Sequence, residues 1–198
     1  NTITRKVKFN QGDGSFPNKI TTVNGKLYGS TFGGGINNIG SFYEFDRNLL
    51  TANKKVDWSL PGSTYVIPFF DTVVNNKVYG VGQNADGIFG GSLISWDLAS
   101  NSYTSVYNFS ASTGNQPCID LAVYNSKIYG VTQRGGANDK GTIFEWDPSA
   151  STYIKKYDFT SNPTFGMFTG LTLGGNKFYG ITIDGGANNL GTIYEWDP

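Results

Sequence analysis

Tyr28, Tyr79, Tyr129 and Tyr179 recur at steps of 51, 50 and 50 residues, and Gly40, Gly91, Gly141 and Gly191 keep the same steps, as do Asp46, Asp97, Asp147 and Asp197. A register kept by three residue types over 198 residues means that the chain is one unit written four times. A period near 50 residues is the mark of a repeat architecture, in which each unit buries its apolar surface against its neighbours. The two C-terminal copies, KIYGVTQRGGANDKGTIFEWDP from Lys127 and KFYGITIDGGANNLGTIYEWDP from Lys177, agree at 15 of 22 positions. The copies beginning at Lys26 and Lys77 are more diverged.

Each copy divides into four short strands. In the third, CIDLAVYN (118–125) is strand A, KIYGVTQ (127–133) strand B, GTIFEWD (141–147) strand C and TYIKKYDF (152–159) strand D. β-branched and aromatic residues mark the strands, and glycine, asparagine and proline mark the turns between them. No window of helical periodicity reaches about ten residues, so the chain reads as all-β. The segment TITRKVKF (2–9) resembles a D strand placed ahead of the first A strand, and the sequence stops after a C strand. The expectation is a β-propeller of four blades, each of four antiparallel strands, with residues 2–9 closing the last blade so that no edge stays open. Part of a larger propeller is the alternative. The whole chain (1–198) is then one domain with repeat cores 19–60, 69–110, 118–160 and 170–198, the last completed by 2–9.

The recurring pattern YG-x-T-x-x-GG-x-N-x-x-G, followed by an aromatic-rich strand ending in DP, resembles the GloVer-type tandem repeat of bacterial surface and secreted proteins. The resemblance spans essentially the whole chain, with the second copy the furthest from it, since QNADGIFG replaces the GGAN segment and Ser95 the Glu of EWD. It implies a propeller-like fold and an exported protein, part of a larger multi-module chain, and it brings no catalytic residues. The matched charges (15 basic, 15 acidic) leave no electrostatic footprint for nucleic acid. There is no apolar run of membrane-spanning length, so no membrane insertion is expected. Low charge content and richness in Asn, Thr, Ser and Gly suit an extracellular or cell-surface location.

Candidate chemistry is sparse. The absence of histidine excludes Ser-His, Cys-His and His-metal arrangements, and the lone Cys118 reads as a small buried apolar residue. Glu44, Glu145 and Glu195, the only glutamates, occupy one repeated position and are poor candidates for a distinct acid and base. No cofactor is expected; Ca²⁺ at loop residues such as Asp86, Asp139, Asp184 and Asn188 lacks a fixed ligand spacing. The residues that differ between repeats are the better candidates for recognition. Phe16, Tyr65, Phe165 and Phe168 fall in the D–A connections, with Arg134, Asp139 and Asp184 in B–C connections expected at the same end. Asp71 and Asp120 are expected to line a central channel. The favoured expectation is a non-catalytic binding or structural module recognising glycan or a surface protein. The alternative is a carbohydrate-active enzyme using the channel Asp residues.

Overall fold

A computed structural model of the protein describes residues 2–46, 48, 51–58, 66–84, 90–161 and 170–198. These form four antiparallel sheets and no helix. Sheet I is β1 (Ser15–Val23), β2 (Lys26–Gly33), β3 (Ser41–Asp46) and β4 (Thr51–Asp57), in that order across the sheet. Sheet II repeats the order with β5 (Val66–Val74), β6 (Lys77–Asn84), β7 (Ser92–Asp97) and β8 (Ser102–Asn108). In sheet III the first strand is split. β9 (Asn115–Pro117) and β10 (Ala122–Tyr124) both pair with β11 (Lys127–Arg134), which is followed by β12 (Thr142–Asp147) and β13 (Thr152–Asp158). Sheet IV has three strands, β14 (Thr172–Gly174), β15 (Lys177–Thr182) and β16 (Thr192–Trp196).

The register repeats as the sequence does. Tyr28 stands opposite Glu44, Tyr129 opposite Glu145 and Tyr179 opposite Glu195, with Ser95 opposite Tyr79 in sheet II. Alternation then sends neighbouring residues to opposite faces, so each sheet has a front face and a back face. The front of one packs on the back of the next. Tyr28 and Phe42 of sheet I meet Phe70, Val78, Ile94 and Trp96 of sheet II. Tyr79, Val81 and Leu93 of sheet II meet Leu121, Ile128, Phe144 and Trp146 of sheet III. Tyr129, Val131 and Ile143 of sheet III meet Leu171 and Phe178 of sheet IV, and Cys118 is fully buried in this cluster, as a small apolar residue should be. Large rings supply much of the bulk at all three interfaces, with Val, Ile and a few Leu beside them.

One strand of the sequence reading is corrected. Residues 2–9 form no strand, and among the described residues β16 pairs with β15 alone, so the expected pairing of 2–9 with the last blade is not found. The reason lies in what holds the N-terminal segment. The Phe9 ring packs edge-on against Tyr43 at 5.0 Å, and the turn after it bonds to sheet I through Gly35 N–H to Gln11 O at 3.0 Å and Lys54 Nζ to Gly12 O at 3.2 Å. These contacts are with the first sheet, and the front face of sheet IV is left in the open: Ile193 is 82% exposed and Ile181 44%, where Leu93, Val81, Ile143 and Val131 are buried.

Candidate functional site

The first strands bring three charged side chains together. Asp71 on β5 forms an ion pair with Lys19 on β1, and Lys19 reaches Asp120, just before β10, at 2.9 Å. The second oxygen of Asp71 accepts the Leu121 N–H at 2.5 Å. Asp71 thus ties sheet II to both of its neighbours. Its side chain is 6% exposed, whereas that of Lys19 is 45% exposed. The cost of burial therefore falls on the carboxylate: burial pushes Asp71 up against the opposing pull of Lys19 and the Leu121 amide. Lys19 is pushed above its ordinary value, because its two carboxylates outweigh its partial desolvation. The cluster forms one end of an open cleft of about 640 Å³, whose other wall is apolar, from Leu121, Leu171, Tyr179, Ile181 and Ile193. Asp71 and Asp120, the expected channel pair, do come together, and the residue that joins them is Lys19. Aligning the first strands of the repeats places Lys19 against Asp120, which is the signal by which it could have been found.

A second constellation recurs on the front faces. Glu44 takes Lys26 at 2.8 Å, Lys55 at 2.9 Å and the Tyr28 hydroxyl at 3.1 Å. Glu145 takes Lys127 at 2.5 Å, Lys156 at 3.2 Å and Tyr129 at 3.1 Å. Burial alone would push the Glu44 carboxyl up, but its two lysines and its tyrosine outweigh that and bring it down to about 2. Glu145 is lowered by the balance of the same forces. Burial and the adjacent carboxylate push Tyr28 and Tyr129 up to about 12. These glutamates are fully committed to strand pairing and sheet packing. Glu195 keeps Lys177 and Tyr179 but has no second lysine among the described residues.

The glycine-rich connections are also spoken for. In the third repeat Gly135 N–H donates to Asp139 Oδ1 at 2.8 Å, and Gly141 N–H to Gly135 O at 3.0 Å. Asn138 Nδ2 donates to Phe159 O at 3.0 Å, while Phe159 N–H donates to Gly141 O at 3.0 Å. The first repeat does the same, with Asn37 on Trp58 O at 2.8 Å and Trp58 N–H on Gly40 O at 3.0 Å. The repeated asparagine therefore closes the loop onto the aromatic that ends the fourth strand. Backbone amides that look free for an anion in the sequence are used within the loop.

The variable residues gather where expected in part. Backbone hydrogen bonds from Gly35 to Gln11 and from Gly136 to Ala111 place the B–C and D–A connections at the same end of their sheets. Phe16 lies within β1 rather than in a loop, at a positive φ of 55° and 74% exposed. It borders a depression with Phe9, Pro17 and Asn38. Arg134 and Asp139 form an ion pair at 3.6 Å across their own loop. Asp184 holds the place of Arg134 in sheet IV, with its backbone carbonyl accepting from Thr182 Oγ1 at 2.7 Å. Tyr65, Phe165 and Phe168, like Asp86, lie outside the described residues. Among the described residues no group of three or more acidic or cysteine side chains is placed to hold a metal ion, and no helix is long and apolar enough to cross a membrane.

Among solved structures, the chain is similar to a complex of S. cerevisiae dbp5 bound to nup159, gle1, IP6 and ADP, at 14% identity, covering 91% of this chain and 44% of that one, with a TM-score of 0.46. It is similar also to the tricorn protease, at 12% identity, covering 90% of this chain and 21% of that one, with a TM-score of 0.37. The chain spans less than half the length of either, and likenesses at this level carry no functional argument. No curated protein matches it. The model of the Gloeobacter/Verrucomicrobia repeat matches residues 62–198, about two thirds of the sequence and the part in which the GG-x-N loops and the EWDP strand ends are best kept, and the chain belongs to that family.

Proposed function

We propose that the protein is a non-catalytic, exported binding or structural module whose four sheets are successive blades of a propeller. The observation that carries this reading is the fate of the polar side chains. Those that repeat, such as Glu44, Glu145, Asn37 and Asn138, are consumed in holding strands and loops together. Residues that differ between repeats, including Arg134, Asp184 and the apolar Phe16, collect towards the loop end of the sheets, on a rigid support of the kind that carries recognition in many folds, whereas Asp139 also closes its own loop onto Gly135. An exposed aromatic beside Asn10, Gln11 and Asn38, and a separate Arg–Asp pair on the loop after β11, suit a glycan or a protein surface. Asp71 is engaged in holding the sheets together, since one of its oxygens holds Lys19 and the other the Leu121 amide.

The test is retention on a panel of insoluble polysaccharides and cell-wall preparations, comparing the wild type with Phe16→Ala combined with Arg134→Ala. Both side chains are at least partly in solvent, so the thermal midpoint should stay within a few degrees. Retention by the wild type that the double variant loses supports the loop-end reading. Equal retention by both proteins removes these residues from the site, and release of soluble sugar by the wild type would favour an enzyme.

A further inference from the structure

We propose that β8 is a docking edge for a second copy of this chain, the two β8 strands pairing antiparallel about a two-fold axis. The outer strands of sheets I, II and III occupy one repeated place, and among the described residues each is bonded to a strand on one side only. They differ in charge. β4 reads TANKKVD and β13 TYIKKYD, with Lys54, Lys55 and Asp57 matched by Lys155, Lys156 and Asp158. β8 reads SYTSVYN, and Ser105, Val106 and Asn108 stand at those three places. Lysine on an open edge is a device by which native sheets avoid pairing with another chain, and of these three strands β8 alone lacks it.

The loss of one glutamate does not account for this. Val106 does go with Ser95, since Lys55 and Lys156 stand at its place to meet Glu44 and Glu145. The other two positions have no such reason. Lys54 and Asp57 form an ion pair at 2.9 Å, as do Lys155 and Asp158. In β8 the same contact is made without charge, by Ser105 Oγ donating to Asn108 Oδ1 at 2.8 Å. The strand is also held firmly enough to serve as a template. Tyr103 meets Trp58 of sheet I edge-on at 5.3 Å, and Tyr107 stacks on Tyr153 of sheet III at 3.8 Å. The rings that leave its two faces are thus pinned by the flanking sheets, while Ser102, Thr104 and Ser105 are exposed along it. An edge ordered in advance loses little conformational freedom when a partner binds.

The strand suits its own copy. Ser102 to Ser105 pair regularly with β7, and the register shift between Leu93 and Ile94 makes Val106 the extra residue, so the regular part of the edge is 102–105. A two-fold axis at Thr104 sets that residue against its counterpart in the second copy, and Tyr103 against the second copy's Ser105. No charge stands on either strand, and β-branched, hydroxyl-bearing and aromatic residues facing one another across a ladder favour pairing. The same axis on β4 or β13 would crowd the adjacent lysines of two copies onto one short ladder, where like charges oppose it. The contact is isologous, so it closes at two copies and joins two four-stranded sheets into one. Because the paired strands run in opposite directions, the loop ends of the two copies point opposite ways and both stay open.

The experiment is sedimentation of the 198-residue chain over a range of concentrations. The wild type should pass from monomer to dimer as concentration rises and grow no further. Ser105→Lys combined with Asn108→Asp writes the pattern of sheets I and III into β8. Both of those sheets accommodate the ion pair, so the thermal midpoint should hold while dimerisation weakens at least about tenfold. Thr104→Cys should give a disulfide-linked dimer on mild oxidation, because residues directly opposed on paired strands lie within disulfide reach. The wild type, whose Cys118 is buried, should give none. A wild type that stays monomeric at every concentration overturns the proposal, and an edge that takes an extended peptide of another protein instead gives that result. A dimer that the double variant leaves intact overturns it too, as do Thr104→Cys chains that remain unlinked.

Discussion

Glu145 shows how much of this chain's charge is internal wiring. Its carboxylate is 4% exposed and neutralised by two lysines and a tyrosine, so Glu145→Gln strands Lys127 and Lys156 beside a neutral amide. The expected loss is about 1–3 kcal/mol, read from denaturant unfolding. The pH dependence follows from the lowered carboxyls. Glu44 and Glu145 titrate lower in the folded than in the unfolded chain, where a Glu titrates near about 4.3. Their stabilisation is complete above that value and is lost as the pH falls below it, for Glu44 towards about 2. Glu145→Gln should therefore flatten the acid side of the stability profile as well as lowering its plateau. A variant as acid-sensitive as the wild type would mean that other carboxylates carry the transition. At this scale the sequence was partly legible. The shared position of the three glutamates marks them as structural, but nothing in a single repeat shows that Lys55 and Lys156 complete them, because that pairing exists only across β3–β4 and β12–β13.

For the element, the B–C connection is the most constrained piece of backbone. Gly141 has φ +92°, and a Cβ there would stand 2.0 Å from the Thr132 carbonyl oxygen, which belongs to a strand and cannot move aside. Gly141→Ala should cost about 2–4 kcal/mol or prevent folding. Thr142→Ala is the control that removes only a side chain, and it should cost less. Equal costs would show that the loop can relax. The strands and their turns were readable because β-branched residues, paired glycines and Asn-rich turns alternate with little ambiguity. The split of the third first-strand into β9 and β10 was not readable, since QPCIDLA is an unbroken apolar-rich stretch in one dimension. Phe16 was misplaced into a loop for the same kind of reason. The strand β1 begins with a Phe–Pro pair, which in sequence looks like a connection, and a bulge between Pro17 and Ile20 absorbs it.

Over the whole molecule, each sheet contacts chiefly the one before and the one after, so stability should run along the chain as it does in repeat proteins. Segments 127–148 and 177–198 are two thirds identical, yet Ile143 is buried while Ile193 is 82% exposed. Amides of β15–β16 should exchange with solvent faster than those of β11–β12 in the isolated chain, by the difference in local opening free energy. Mass-spectrometric hydrogen exchange would read this directly, and equal protection of the two segments would show that sheet IV is covered by something in solution. The period announced how many sheets there are. Whether they close could not be read from it, because closure depends on the angle between neighbouring sheets, which bulky rings at each interface set and no local pattern encodes.

The interchangeable front and back faces bear on how such a chain can change over generations. A crossover between misaligned copies of a gene that repeats itself every 50 or 51 codons removes or inserts one unit. In most folds such an event tears a core apart. Here the new neighbours meet through a Tyr-bearing front and an aromatic back of the kind already present at every junction, and the lysine–glutamate pairs, which lie within a sheet, travel with the unit. The unit count is thereby free to drift by recombination while each junction keeps its chemistry. The degenerate second repeat, with Ser95 in place of the glutamate and Lys77 leaning on Asp97 at 3.5 Å, shows that a sheet tolerates the loss of one such pairing once its neighbours hold.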